Sequence, residues 1–217
     1  MIIYTAIFGP YDVLHEPMVI PEAAQFVCFT DQPFRSDVWK IVQLRPSKHP
    51  MIEAKRYKLF PHEIFPGHGF SLWLDGCMQL RQDPEPLLSM LYDADMALFK
   101  HPARACSHSE SFVNIMQRHD IDSVTQQHNA YYESEFPDDQ GLYSGGFILR
   151  EHNKESMKGL AENWWYELNT RSMRDQVSLP YVLWKTGIKP ATIPGTIYNN
   201  QYAQWWAHTK EKTCNQS

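Results

Sequence analysis

Short apolar runs alternate along this chain with longer stretches of helical character, and that alternation narrows the fold more than any other feature. Ile2–Phe8, Gln25–Thr30, Val38–Leu44, Phe70–Asp75, Asp95–Phe99 and Leu142–Arg150 read as strands, three of them ending in an acid or a Gly turn, before Gly9, before Asp31 and at Asp75. Pro50–Phe60 is rich in helix formers, Cys106–Glu135 reads as one polar helical stretch, and Lys154–Leu168 repeats its apolar residues every four. Asp83 and Pro84 suit the N-cap and first position of a short helix. Asp175–Trp184 reads as another helix, in which Pro180 must lie in the first turn or make a kink. Lys189–Ile193 reads as a last strand. Strands in alternation with helices predict an α/β fold with a mostly parallel central sheet flanked by helices. The 217 residues, 43% of them hydrophobic, suffice for one domain over 1–217 with a real core. No repeat, low-complexity tract or linker interrupts them.

Charge and cysteine usage exclude some functions. The net charge is −5, and no Lys/Arg cluster is large enough to follow a nucleic-acid backbone. Phosphate binding would have to be local. The four cysteines, Cys28, Cys77, Cys106 and Cys214, form no CxxC pair, which argues against a structural zinc site and for free thiols in a reducing compartment. The N-terminal Met1-Ile2-Ile3-Tyr4 has no basic segment before its apolar run, and no stretch approaches a membrane span. The expectation is a cytoplasmic protein without a transmembrane segment, with peripheral association at a membrane surface left open.

In open parallel sheets ligands collect at the carboxyl ends of strands, so residues at those positions are the first candidates. Leu72-Trp73-Leu74-Asp75-Gly76-Cys77 delivers a carboxylate at a strand tip, with a glycine that lets a ligand approach the backbone. Such an acid suits a hard divalent cation, although an Asp-Gly turn is also common in its own right. Tyr4-Thr5-Ala6-Ile7-Phe8-Gly9-Pro10-Tyr11-Asp12 ends a first strand where backbone groups can bind a base and Tyr11 can cover it. Lys55-Arg56-Tyr57-Lys58 could neutralise phosphate oxygens or be a solvated helix face. In Leu142–Phe147, Ser144 precedes the pair Gly145-Gly146, which marks a bulge or a close approach of backbone to a ligand. Arg174-Asp175-Gln176 opens a helix, where the acid is a cap or a general base. Near the C-terminus, His208 could swing in as a metal ligand with Lys210 on a phosphate.

Six segments taken in order resemble a known family. They are Tyr4–Asp12, Phe29-Thr30-Asp31, Lys58-Leu59-Phe60-Pro61-His62, Ser71–Gly76, Arg150-Glu151-His152 and Arg174–Lys185. They are similar to the glycosyltransferase-like domain of plant mucilage-related proteins, which also occurs widely in bacteria. The resemblance runs from about Tyr4 to Lys185, with a fainter echo at His208. It implies a single GT-A-like, Rossmann-like domain and a nucleotide-sugar donor. The C-terminal stretch 195–217 is expected to close over the donor.

Carried over by position, the resemblance implies a nucleotide-sugar site of Thr5, Ala6, Phe8, Gly9, Tyr11, Asp31, Arg56, Lys58, Asp75, Gly76 and Lys210. Ser144, Gly145, Gly146 and His152 would line sugar or acceptor, with Asp175 and Gln176 as the catalytic pair. Mn²⁺ or Mg²⁺ would be held through Asp75, His208 and the position of Cys77, where the usual Asp-x-Asp has its second acid. The implied activity is transfer of a sugar, with a UDP-sugar as donor, to a glycan or lipid-linked acceptor. Two alternatives stand beside it: a metal-dependent hydrolase acting on a sugar or lipid, and a non-catalytic nucleotide- or sugar-binding module.

Overall fold

A computed structural model describes residues 1–117 and 120–208. The chain runs β1 (Ile2–Ile7), β2 (Gln25–Thr30), β3 (Lys40–Gln43), α1 (Pro50–Leu59), α2 (Pro61–Ile64), β4 (Ser71–Leu74) and β5 (Met78–Leu80). A 3₁₀ segment, Glu85–Leu91, leads to β6 (Met96–Lys100), α3 (Ser107–Met116) and α4 (Ile121–Glu133). Then come β7 (Tyr143–Arg150), α5 (Glu155–Thr170), α6 (Asp175–Thr186), β8 (Ala191–Thr196) and β9 (Ala203–Trp205).

Seven strands form one sheet in the order β3-β2-β1-β4-β7-β6-β8. Strand β7 is antiparallel to both neighbours, and the other pairings in this sheet are parallel. The chain is therefore α/β with a mostly parallel central sheet, as its alternating pattern predicts. Strands buried on both faces divide their side chains by the period of two. Tyr4, Ala6, Phe29, Trp73, Leu98 and Ile148 point into one core, with residues of α1, α5 and α6. Ile3, Cys28, Leu72, Leu74, Phe99, Phe147 and Leu149 point into the other, under the 3₁₀ segment and the small antiparallel sheet β5–β9.

Several boundaries differ from those read in the sequence, each for a local reason. The stretch 106–135 is helical, as expected, and is divided into two helices; Asp120, just before α4, has a left-handed φ of 49°. Asp83 does accept the Glu85 N–H at 2.9 Å, but the segment it opens is 3₁₀ with Pro84 at its cap. Pro180 is the sixth residue of α6, past the first turn, and the helix continues to Thr186. The strand with Gly145-Gly146 is unbroken. Its irregularity is a register shift against β6, from Leu98↔Ile148 to Phe99↔Ser144.

This topology fixes where a ligand can bind. From β1 the chain moves outward to β2 and β3, then returns to lay β4 on the other side of β1. The strand order reverses between β1 and β4, and a crevice opens outside the carboxyl ends of strands at such a point.

Candidate functional site

Asp75 follows β4 directly. Its N–H donates to the Gly146 carbonyl at 2.9 Å, which ties the turn to β7. Trp73 and Asp75 are two residues apart and so share a face. The Trp73 indole Nε1–H donates to Asp75 Oδ1 at 2.6 Å. The carboxylate is thus aimed by a core residue.

Lys58 Nζ lies 3.4 Å from Asp75 Oδ1 and 2.6 Å from Asp175 Oδ2, and its side chain is only 4% exposed. Lys55 Nζ reaches the same Asp175 oxygen at 3.2 Å. The result is a bridge of two lysines and two aspartates joining α1, β4 and α6. Its electrostatics favour the charged forms of Asp175 and Lys58. Burial would raise the Asp175 carboxyl, but Lys55 and Lys58 outweigh it and hold the group well below the usual carboxylate range. Burial would likewise lower Lys58, yet Asp175 and Asp75 prevail and its pKa is raised. For Lys55 burial wins, so its pKa falls. Lys58 is the more firmly charged of the two.

The backbone of Lys58 is anchored as well. The last carbonyls of a helix lack intrahelical donors. Here the Lys58 carbonyl accepts from the Tyr4 hydroxyl at 3.1 Å and from the Arg150 guanidinium. Arg150 also donates to the Tyr4 hydroxyl at 2.6 Å. All three residues are buried.

Glycines make room around this bridge. A Cβ on Gly145 would stand 3.0 Å from Lys58 Nζ and 3.4 Å from Asp175 Oδ2. One on Gly146 would meet Ile197 Cδ1 at 2.9 Å and Asp75 Oδ2 at 3.2 Å. One on Gly76 would meet Ile7 Cγ1 at 2.8 Å and Asp12 Oδ2 at 3.0 Å.

Asp12 lies on the far side of Gly76. Its Oδ1 is 2.8 Å from His208 Nδ1, and the His208 ring sits 4.7 Å from that of Tyr11. Pairing of β9 with β5 brings the C-terminal segment here, and the Trp206 N–H donates to the Cys77 carbonyl at 2.8 Å. At the neighbouring strand ends, the Gly9 N–H donates to Asp31 Oδ1 at 2.8 Å, with Gly9 at a φ of 66° that few other residues adopt.

The structure therefore links Gly9 with Asp31, and gathers Tyr11, His208, Gly76, Asp75, Lys58, Asp175 and the pair Gly145-Gly146 about the β1–β4 crevice. Thr5, Ala6 and Phe8 are buried supports rather than exposed surface, and Phe8 stacks on Tyr57. Ser144 is buried with no hydrogen-bond partner for its hydroxyl among the described residues, and Gln176 is half-buried in the first turn of α6. Arg56 points away, into a half-exposed pair with Glu63. Lys210 lies outside the described residues.

His152 stands apart from the crevice. It follows Arg150, which pairs with Ser71 at the opposite end of β4 from Asp75. Its Nε2 donates to the Phe65 carbonyl at 3.1 Å. Burial pushes its imidazole down from 6.5 to about 4; the Phe65 carbonyl opposes this and Arg150 adds to it. A folded pKa below the unfolded one means stability present above pH 6.5 and lost as pH falls toward 4. The loss from this ring is on the order of 3 kcal/mol. Urea melts at pH 7 and at about pH 4.5 should show His152→Gln losing clearly less stability than the natural protein. Equal losses would remove His152 as the cause.

Sequence reasoning named Lys55 in the basic cluster but left it out of the site, and it gave Asp12 no role. Lys55 had a readable signal: in α1 it is three residues from Lys58, and such pairs share a helix face. Arg56 does not share it. Asp12 sat at the end of a recognised segment but acquires meaning only through His208, 196 residues away in sequence.

A divalent ion bridging a diphosphate takes about six hard oxygen ligands. Among the described residues no three His, Cys, Asp or Glu side chains converge on one point. Asp75 Oδ1 already faces Trp73 and Lys58. Cys77 packs in the second core, where burial first, and then the charges of Asp75 and Asp12, push its thiol up and keep it protonated. His208 Nδ1 is engaged by Asp12. The described donor set does not fit a resident divalent ion.

Comparison with known proteins supplies a family for the chain. The family model "TOD1/MUCI70, glycosyltransferase-like domain" matches residues 1–201. "Alkaline ceramidase TOD1" of Arabidopsis thaliana is 25% identical over 222 residues, covering 84% of this chain and 48% of that protein. "Probable hexosyltransferase MUCI70" of the same plant is 25% identical over 221 residues, covering 87% of this chain and 38% of that protein. The chain thus spans about half or less of either relative, and the two names describe different chemistries. What the relatives share with this chain is the domain itself: by a match that covers nearly all of its length, the chain belongs to the TOD1/MUCI70 glycosyltransferase-like domain family.

Proposed function

We propose that the domain is a glycosyltransferase of hexosyltransferase type that takes its sugar from a nucleoside-diphosphate donor, a UDP-sugar. The observation that carries this reading is the Asp75–Lys58–Asp175 bridge against Gly145 at the β1–β4 switch point. In this reading the nucleoside lies toward Gly9, Tyr11 and Asp31. Asp75 Oδ2, on the oxygen that Trp73 and Lys58 do not use, accepts from donor hydroxyls. Gly145 and Gly146 let the sugar come close to the backbone. In this reading the fixed ammonium of Lys58, shared between Asp75 and Asp175, steadies the departing diphosphate. The acceptor is a glycan or a lipid-linked sugar. No helix among the described residues is long and apolar enough to cross a membrane, so a lipid-linked acceptor would be met at a membrane surface.

Asp175 suits anchoring better than proton transfer. A general base works best with a pKa near the operating pH. Two lysines hold this carboxylate far below it. Its contribution in this reading is to fix the lysines and, through them, donor and acceptor.

Calorimetric titration of UDP, with and without Mn²⁺, tests the donor site. Binding is expected, and Asp75→Ala should weaken it about tenfold or more, or ~1.4 kcal/mol. Absence of UDP binding under both conditions would sink the donor reading, and unchanged binding by Asp75→Ala would remove Asp75 from it. A screen of UDP-sugars for slow UDP release then names the donor. The name of the ceramidase relative motivates a parallel assay for fatty acid released from ceramide. Turnover there without UDP binding would favour hydrolysis instead.

A further inference from the structure

We propose that the site binds its diphosphate donor without a divalent metal, the Lys58 ammonium taking the electrostatic place of the ion at Asp75. The proposal rests on the donor reading above and deepens it.

Four observations bear on it. First, the charge of Asp75 is already matched. Lys58 Nζ lies 3.4 Å from Oδ1, and the Trp73 indole donates to the same oxygen at 2.6 Å. A divalent cation on this carboxylate would face a fixed positive charge across a few ångströms, with little water between them to screen it.

Second, Lys58 cannot withdraw. Its side chain is 4% exposed, its Nζ is held by Asp175 at 2.6 Å, and its carbonyl is held by Tyr4 and Arg150. A surface lysine could swing into solvent to admit an ion. This one is fixed at both ends, and Gly145 closes over its tip.

Third, the position two residues after Asp75, where a second acid would double the negative charge, is Cys77. Its side chain faces the apolar core. Metal sites that bridge diphosphates gather uncompensated carboxylate oxygen. Asp75 offers one carboxylate, and that one is compensated.

Fourth, the Asp12–His208 pair does not complete an ion site with Asp75. It lies across Gly76, and no third ligand from the described residues joins it.

The experiment uses the whole chain and UDP as probe, titrated in EDTA and in MnCl₂. The two dissociation constants should agree within about threefold. Titration of Mn²⁺ into the protein, followed by the spin-resonance signal of the free ion, should show no stoichiometric binding. Tightening of UDP by about tenfold or more in Mn²⁺, or stoichiometric Mn²⁺ uptake, overturns the proposal. Binding of UDP only with Mn²⁺ defeats the proposal and leaves the donor reading intact. No binding of UDP in either buffer defeats both.

Discussion

Lys58→Met should destabilise the protein and weaken UDP binding together. The substitution keeps most of the apolar stem and removes the charge. Two carboxylates then lose their shared partner, Asp175 at 2.6 Å and Asp75 at 3.4 Å. Breaking a buried ion pair from one side typically loses about 3–5 kcal/mol, because the remaining charge is stranded. Asp175 keeps Lys55, and the Asp75 side chain is 37% exposed. Those two facts reduce the expected loss to about 2–3 kcal/mol. Denaturant melts measure it, and a loss indistinguishable from zero would show that the bridge is not formed in solution. The pH dependence gives an independent signature. Asp175 has a folded pKa held below its unfolded value, so its contribution is fully present above about pH 4 and is lost as pH falls further. Without Lys58 that contribution shrinks. The acid limb of the stability curve should therefore begin from a lower plateau and fall less steeply. Lys58→Arg keeps the charge but places a planar fork where a compact ammonium fits beneath Gly145. It should recover part of the stability and less of the binding.

The sequence revealed what is local and concealed what is assembled. Alternating apolar runs predict the strands because residues buried on both faces of a parallel sheet have little freedom in composition. The same logic marks Asp75, which sits where β4 meets solvent. It marks the stretch 106–135 as helical but not where it divides, since a break between two polar helices leaves no change in periodicity. It fails for Arg56 and Lys55, because a basic cluster does not say which member faces inward; only helical spacing from Lys58 decides that. His152 is the reverse case. A histidine beside a glycosyltransferase-like signature suggests a ligand contact, yet the antiparallel run of β7 carries it to the opposite end of the sheet. Strand direction is a tertiary property, and the residues of β7 read the same in either sense. Cys77 is subtler. It occupies the position of a second acid in the one-dimensional pattern, while the turn after Asp75 points its side chain into the core.

The divergent names of the two plant relatives have a physical reading as well. A fold-level match fixes the sheet and the crevice, while the chemistry depends on a handful of groups within it. In this chain those groups are carboxylates and ammonium ions tied to one another, with glycines keeping space above them. In the proposed reading such a site takes hydroxyls and phosphates. Attack on an amide would call for a nucleophile or an activated water; Asp75 and Asp175 are held by lysines and Asp12 by His208, while Asp31 accepts from the Gly9 N–H and the Gln32 side chain. That pattern is why the sugar-transfer reading is the stronger of the two.

Gly146→Val should abolish UDP binding while leaving a folded protein, and it isolates the site from the ion bridge beneath it. The first added carbon already stands 2.9 Å from Ile197 Cδ1 and 3.2 Å from Asp75 Oδ2. Ile197 is a flexible side chain at the rim of the second core and can yield. Asp75 cannot yield freely, because Trp73 and Lys58 hold its other oxygen and the Gly146 carbonyl holds its N–H. Two further methyl groups from valine then fill the space in front of Oδ2, the oxygen proposed to receive the donor. Overpacking of this kind commonly costs about 1–3 kcal/mol of stability. Gly146 lies within β7, where a β-branched residue is otherwise favoured, so the net loss should fall at the low end. Gly146→Ala adds only the first carbon, and should weaken UDP by about tenfold with little change in the melt. A graded loss from Gly to Ala to Val, at nearly constant stability, means that the donor occupies the space above Asp75. Equal UDP affinity in all three proteins would mean that this space is not used, and the donor site would have to be sought elsewhere along the β1–β4 crevice.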